Sequence, residues 1–230
     1  MFFPLHDHNP LRFVRRQYVT WGLIAVNVLV FVFVEGGGLS EPVLQASVLS
    51  YGLIPAVFFD IRELAPELAV VPDTVSLVSY AFLHGSWMHL IGNTLFLWVF
   101  GDNVEDAMGH LRFLVFYLLC AAAAGYAHAA LHPDSVVPLV GASGAVAGVV
   151  GAYLMLHPRV RVWVLALGRI PLRVPASWAL IAWILFQVVM ALGAVQEGVA
   201  WWAHVFGFAA GAILVIPFRR RGVPLFDKKL

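Results

Sequence analysis

Few side chains in this sequence can do chemistry, and they stand out because their surroundings are so apolar. Long hydrophobic stretches hold Asn27, His89, Asn93, His128, Ser143, Gln187 and His204. Polar groups are costly in such surroundings, so each is a functional candidate. A serine becomes a nucleophile when a base takes its hydroxyl proton, and histidine is the usual base. Attack on a carbonyl creates an oxyanion, which needs preorganised donors. The side chains of His89 and Asn93 and the backbone N–H of Ser143 are donors of that kind. A helix N-terminus adds a favourable partial positive charge. Within these stretches no carboxylate lies near the level of Ser143 and His204, so the set reads as a Ser143–His204 dyad and not a full triad.

The elements that position these residues follow from composition. Of 230 residues, 61% are hydrophobic and 12% charged, with a mean hydropathy of +0.87. A soluble domain holds about 45–50% apolar and about 25% charged residues. The balance excludes a disordered chain, a disulfide scaffold and an ordinary cytosolic domain, and calls for a membrane protein. A net charge of +1 provides no bulk basic field for nucleic acid. The single cysteine, Cys120, sits in an apolar run and reads as a small buried hydrophobe.

About 20 mostly apolar residues cross a bilayer as a helix. Six stretches qualify: Tyr18–Val34, about Trp87–Met108, about Leu111–Leu131, about Leu139–Leu156, about Pro175–Val195 and about Trp201–Phe218. The first reads as a retained helix, because no clean cleavage site follows it. Pro42–Phe59 is also fairly apolar, and charge decides against a seventh span. With six spans, 13 of the 14 Lys and Arg residues fall on the N-terminal side and only Arg62 lies opposite. The connection 35–83 instead collects Glu35, Glu41, Asp60, Glu63, Glu67 and Asp73. The positive-inside rule then places both termini in the cytoplasm, and 42–59 reads as an in-plane, half-buried element on the outer face. The expected organisation is a short basic tail (1–17), one six-helix membrane domain (18–218) and a second short basic tail (219–230).

Spans two, four and six all run from outside to inside, so His89, Ser143 and His204, each a few residues after its helix start, share one shallow outer layer. Asn93 lies one turn deeper than His89 on the same face. Small-xxx-small pairs let helix backbones approach closely. Span four carries Gly144/Gly148 and span six Gly207/Gly211, the latter on the face of His204. Packing through these faces would bring Ser143 to His204.

Four segments carry a resemblance: His84-Gly-Ser-Trp-Met-His89-Leu-Ile-Gly-Asn93; Phe100-Gly-Asp-Asn-Val-Glu-Asp-Ala-Met-Gly109; Gly141-Ala-Ser143-Gly144; and Ala203-His204-Val-Phe-Gly207 continuing to Gly211. In that order, on six helices, the chain resembles the rhomboid intramembrane serine proteases over about residues 18–218. The resemblance implies an all-α membrane protein of rhomboid type, a serine endopeptidase with no cofactor and no metal. Its partners would be the lipid bilayer and transmembrane segments of substrate proteins, cut near their outer end, as in regulated intramembrane proteolysis. It implies Ser143 as nucleophile, His204 as base and then acid, and His89 and Asn93 with Ser143 as the oxyanion hole. His84 matches a histidine of the second-span motif whose part is as readily structural. The fifth span matches an element thought to gate substrate entry. A multi-pass protein of a prokaryotic plasma membrane, with its site open to the outer face, is the expected setting.

Two departures matter. Rhomboids often carry an aromatic residue four positions after the serine, where it stacks on the histidine; here it is Ala147, which leaves the orientation of His204 unaccounted for. Some carry Trp-Arg in the first loop; here Ile61 precedes Arg62. Three other readings compete. His84, His89 and His204 could hold a metal, although no span carboxylate completes a site. A non-catalytic binder or chaperone for membrane helices would use the same groove. A transporter would call for broken helices and midplane ionisable groups.

Overall fold

The computed structural model describes residues 2–166, 168–193 and 198–227. The expected end of the fifth span at Val195, together with Lys228 and Lys229, lies outside the described residues. Helix α1 (Tyr18–Leu29) runs into a π turn over Val30–Val34 and reproduces the first apolar stretch. Helices α5 (Trp87–Met108), α6 (His110–Leu131), α8 (Ala176–Leu192) and α9 (Trp201–Phe218) follow the second, third, fifth and sixth stretches to within a residue, except that α8 ends at Leu192.

The fourth span differs. Helix α7 covers Ser143–Leu156, four residues shorter than the apolar run beginning at Leu139. Gly141 has φ +120°, which no helix contains, and Leu139 pairs with Leu53 in an isolated β-bridge. Ser143 is therefore the first residue of its helix and not one turn inside it.

The long connection also breaks up. Helices α2 (Glu41–Tyr51), α3 (Pro55–Phe58) and α4 (Asp73–Ser79) are separate. The 42–59 stretch is interrupted at Gly52–Ile54, where Leu53 N–H and C=O turn to Leu139. At 11 residues α2 is about 16 Å long, too short to cross a bilayer.

Three short strands join the helices. Strand β1 (Phe2–Asp7) pairs antiparallel with β2 (Arg161–Ala166), which pairs with β3 (Ile170–Pro175). Both tails are docked. The Asp106 carboxylate accepts the N–H groups of Arg12, Phe13 and Val14 at 2.7–2.9 Å. Glu105 accepts the N–H groups of Val19 and Thr20 and the Thr20 hydroxyl. These are N–H groups of the first turn of α1, which no residue inside that helix can satisfy. Tyr153 donates to Asp7 at 2.6 Å, and Asp227 accepts the Arg159 N–H and holds His157. Because β1 pairs with β2, the N-terminal segment and the α7–α8 connection occupy the same end of the bundle.

Helix α7 is the centre of the fold, with Gly144 through Tyr153 all buried. It packs on α9, α6 and α5. The outward faces are apolar: Leu185, Val189 and Leu192 on α8, and Ile213 and Ile216 on α9, are more than half exposed. Such faces suit hydrocarbon and not water. Where α7 meets α9 the facing residues are small, Gly144 and Gly148 against Gly207 and Gly211, because lipid supplies no hydrophobic force between helices and association rests on close packing.

Candidate active site

The site is assembled from the N-terminal ends of α5, α7 and α9 and the C-terminal half of α8. Ser143 enters it on a constrained segment. The Leu53–Leu139 bridge holds the chain two bonds deep, and the Gly141 N–H donates to the Tyr80 carbonyl at 2.9 Å. Tyr80 is fully buried, and its hydroxyl donates to the Ala121 carbonyl of α6. A side chain at Gly141 would lie 2.5 Å from the His89 ring, so the glycine makes room for that imidazole beside the serine. As the first residue of α7, Ser143 leads a turn whose N–H groups have no partner within the helix.

Close packing of α7 on α9 sets the distance to the histidine. A Cβ on Gly207 would stand 2.9 Å from the carbonyl carbon of Gly144, and one on Gly211 would stand 2.5 Å from Gly148 Cα. The glycine faces do meet as their spacing suggests. Three residues before Gly207, His204 then places Nε2 at 2.8 Å from Ser143 Oγ. His204 Nδ1 lies 2.8 Å from Gln187 Oε1 on α8. The Trp183 ring, one turn earlier on α8, stacks near the imidazole at 6.3 Å and 27°, and Trp201 meets it edge-on.

On the other side, α5 is preceded by Ser86, whose hydroxyl accepts the His89 N–H and caps the helix. Asn93 follows one turn later, 8% exposed, with its Nδ2 unpartnered. A buried amide donor with no acceptor has an unmet need for one. His84 is fully buried against the His89 ring, 5.1 Å between centroids. Its backbone N–H donates to both oxygens of Glu35, itself fully buried, at 3.0 Å. Burial pushes the Glu35 carboxyl up to about 7, against the pull of that N–H. Burial, reinforced by nearby His89, pushes the His84 imidazole down to about 3. His84 thus stays neutral and props His89. Among the described residues, no group of three or more His, Cys, Asp and Glu is placed to hold a metal ion.

The sequence model of the rhomboid family, described as the Rhomboid domain, matches residues 71–221. The chain belongs to the rhomboid family. It is an integral membrane protein, mostly helical. It is 30% identical over 153 residues to Rhomboid protein 1, mitochondrial, of Saccharomyces cerevisiae, covering 62% of this chain and 41% of that protein. It is 36% identical over 77 residues to Rhomboid-like protein 11, chloroplastic, of Arabidopsis thaliana, covering 34% and 27%. It is 32% identical over 137 residues to Rhomboid protease GluP of Bacillus subtilis, covering 59% and 24%. The matches therefore span less than half the length of these relatives.

The four residues given roles by type and spacing, Ser143, His204, His89 and Asn93, lie at this one end of the bundle, whereas Asn27 donates to the Leu23 carbonyl within α1. The sequence offered Gln187 only as a polar residue in the fifth span and assigned it no partner. A glutamine inside an apolar helix was the available signal. Its contact with His204 needed the crossing of α8 over α9. Trp183 gave no signal beyond an aromatic in a helix.

Proposed function

We propose that this rhomboid is an intramembrane serine endopeptidase that cleaves transmembrane segments of other membrane proteins near their outer end. The observation that carries the reading is the 2.8 Å contact between Ser143 Oγ and His204 Nε2, beside an unpartnered amide on Asn93. As Oγ bonds to the scissile carbonyl carbon, its proton passes to Nε2. The carbonyl oxygen becomes an oxyanion facing His89, Asn93 and the Ser143 N–H. Collapse of the tetrahedral intermediate breaks the C–N bond, and the imidazolium returns the proton to the departing amine. Water, activated by the same imidazole, then hydrolyses the acyl-enzyme.

The proposed topology is six spans with both termini in the cytoplasm of a prokaryote, as the distribution of basic residues favours. At 14 residues α7 is about 21 Å long, short of the ~30 Å hydrocarbon core. With its inner end at the cytoplasmic boundary, Ser143 lies about 9 Å below the outer one. That depth lets water enter from outside and lets an unwound substrate end reach the serine.

Purified protein in detergent or liposomes, mixed with a helix-destabilised transmembrane substrate, should cleave it, while Ser143→Ala and His204→Ala should not. An active, folded Ser143→Ala protein would refute the mechanism. Retained substrate binding without cleavage or serine labelling in the wild type would favour the helix-binding alternative.

A further inference from the structure

We propose that Gln187 of α8 is the positioning residue for His204, holding it from the gate-side helix by accepting a hydrogen bond at Nδ1. The proposal rests on the protease reading above and supplies what the dyad lacks.

Gln187 is 1% exposed and lies among Leu185, Phe186, Val188 and Val189. An amide so placed is costly unless it is hydrogen-bonded. Its Oε1 lies 2.8 Å from His204 Nδ1, and Nε2 on the far side of the same ring lies 2.8 Å from Ser143 Oγ. The three groups form one line across α8, α9 and α7. A carbonyl oxygen has only lone pairs to offer, so it takes the ring proton onto Nδ1. The Nε2 lone pair is then left free to accept the Ser143 proton. With the amide reversed, its NH2 would donate to Nδ1, the proton would sit on Nε2, and the serine would face a donor instead of a base.

The ring is also held by its faces. Trp183 precedes Gln187 by four residues, so the two share one face of α8. One stacks near the imidazole while the other bonds it. Ala147 offers no ring from α7, and α8 provides the orienting contacts instead. The base is therefore aligned only while α8 lies against α9. The acceptor is neutral, so it fixes direction and tautomer without adding the charge that a carboxylate gives the imidazolium.

The test uses the full chain in detergent and a fluorophosphonate, which needs no knowledge of the substrate. Ser143 Oγ bonds to phosphorus, the P–F bond breaks, fluoride leaves, and the hydroxyl proton passes to His204. Labelling rates are measured from pH 5 to 9 for wild type, Gln187→Leu and Gln187→Glu, with Ser143→Ala as blank and thermal melts beside each. Among the described residues, the other titratable groups acting on His204 are His89 on α5 and His128 on α6, unchanged in every variant.

Gln187→Leu should label about 10- to 100-fold more slowly, a loss up to the low end of the roughly 10²–10⁴ that a general base contributes, since the base is misaligned and not removed. Gln187→Glu keeps an acceptor and adds charge. It should label within a few-fold of wild type, with the acidic limb of its profile moved up by about one pH unit or more, since a carboxylate favours the imidazolium. A merely structural glutamine would not move that limb. Should Gln187→Leu fail to fold, Gln187→Glu carries the test. Equal rates and profiles for wild type and Gln187→Leu, or a slow Gln187→Glu with an unmoved limb, would overturn the proposal and leave the protease standing. A folded wild type that never labels at Ser143 would overturn both.

Discussion

Replacing Gly207 by alanine should inactivate the protein by separating two helices, with every catalytic group still present. The added Cβ would lie 2.9 Å from the carbonyl carbon of Gly144 and nearer still to its oxygen, whereas ordinary contact begins at 3.4 Å. Both obstructing atoms are backbone of a buried helix and cannot rotate away. The carbon alone requires a retreat of half an ångström and the oxygen more, so the backbones must part by about 1 Å. Gly144 adjoins Ser143, and Gly207 lies one turn from His204. The separation is therefore delivered where the 2.8 Å Ser143–His204 contact stands. A misplacement of about 1 Å costs on the order of 10²-fold in rate, and overpacking costs about 1–3 kcal/mol of stability. The assay is fluorophosphonate labelling of Ser143 with a thermal melt on the same preparation. Gly22→Ala serves as control, because a Cβ there meets nothing within 4 Å. Gly207→Ala that labels at the wild-type rate would refute the claim that this contact sets the dyad distance.

Two further outcomes follow from the site. Asn93→Ala should slow peptide cleavage by up to about 10²–10³ while leaving some activity, since one oxyanion donor is lost; unchanged kcat would remove Asn93 from the site. Glu35→Gln tests the buried carboxyl beneath His84. Its ordinary value is 4.5 and burial raises it to about 7. The stabilisation of the neutral form is complete well below pH 4.5 and is lost as pH rises through about 7, on the order of 3 kcal/mol. His84, lowered from 6.5 to about 3, acts the other way: its contribution is present above pH 6.5 and is lost as pH falls toward 3. The difference between Glu35→Gln and wild type isolates the carboxyl. By denaturation in detergent, the variant should gain about 3 kcal/mol on wild type between pH 4.5 and 8; a pH-independent difference would exclude burial as the cause.

Hydropathy alone made the long apolar helices legible, because lipid demands such helices whatever their neighbours. The same demand made Ser143, His204, His89 and Asn93 conspicuous, since polar groups in hydrocarbon are rare. Glycine spacing pointed further, to the faces of α7 and α9 that meet at Gly144 and Gly207. The family follows from the order of four motifs and from the match over 71–221. Tertiary structure decided the rest. An apolar run does not reveal where its helix begins, and only the Leu53–Leu139 bridge and the φ of Gly141 place Ser143 at the head of α7. The pairing of β1 with β2 reaches across more than 150 residues, which a local pattern does not contain. Glu105 and Asp106 look like the polar end of a span until the N-terminal chain is laid across them. The orientation of His204 was open after Ala147, and the contact of its Nδ1 with Gln187 comes from another helix. Hydropathy sets which segments enter the membrane. The short-range contacts between helix faces set which atoms then meet, and chemistry is decided at that distance.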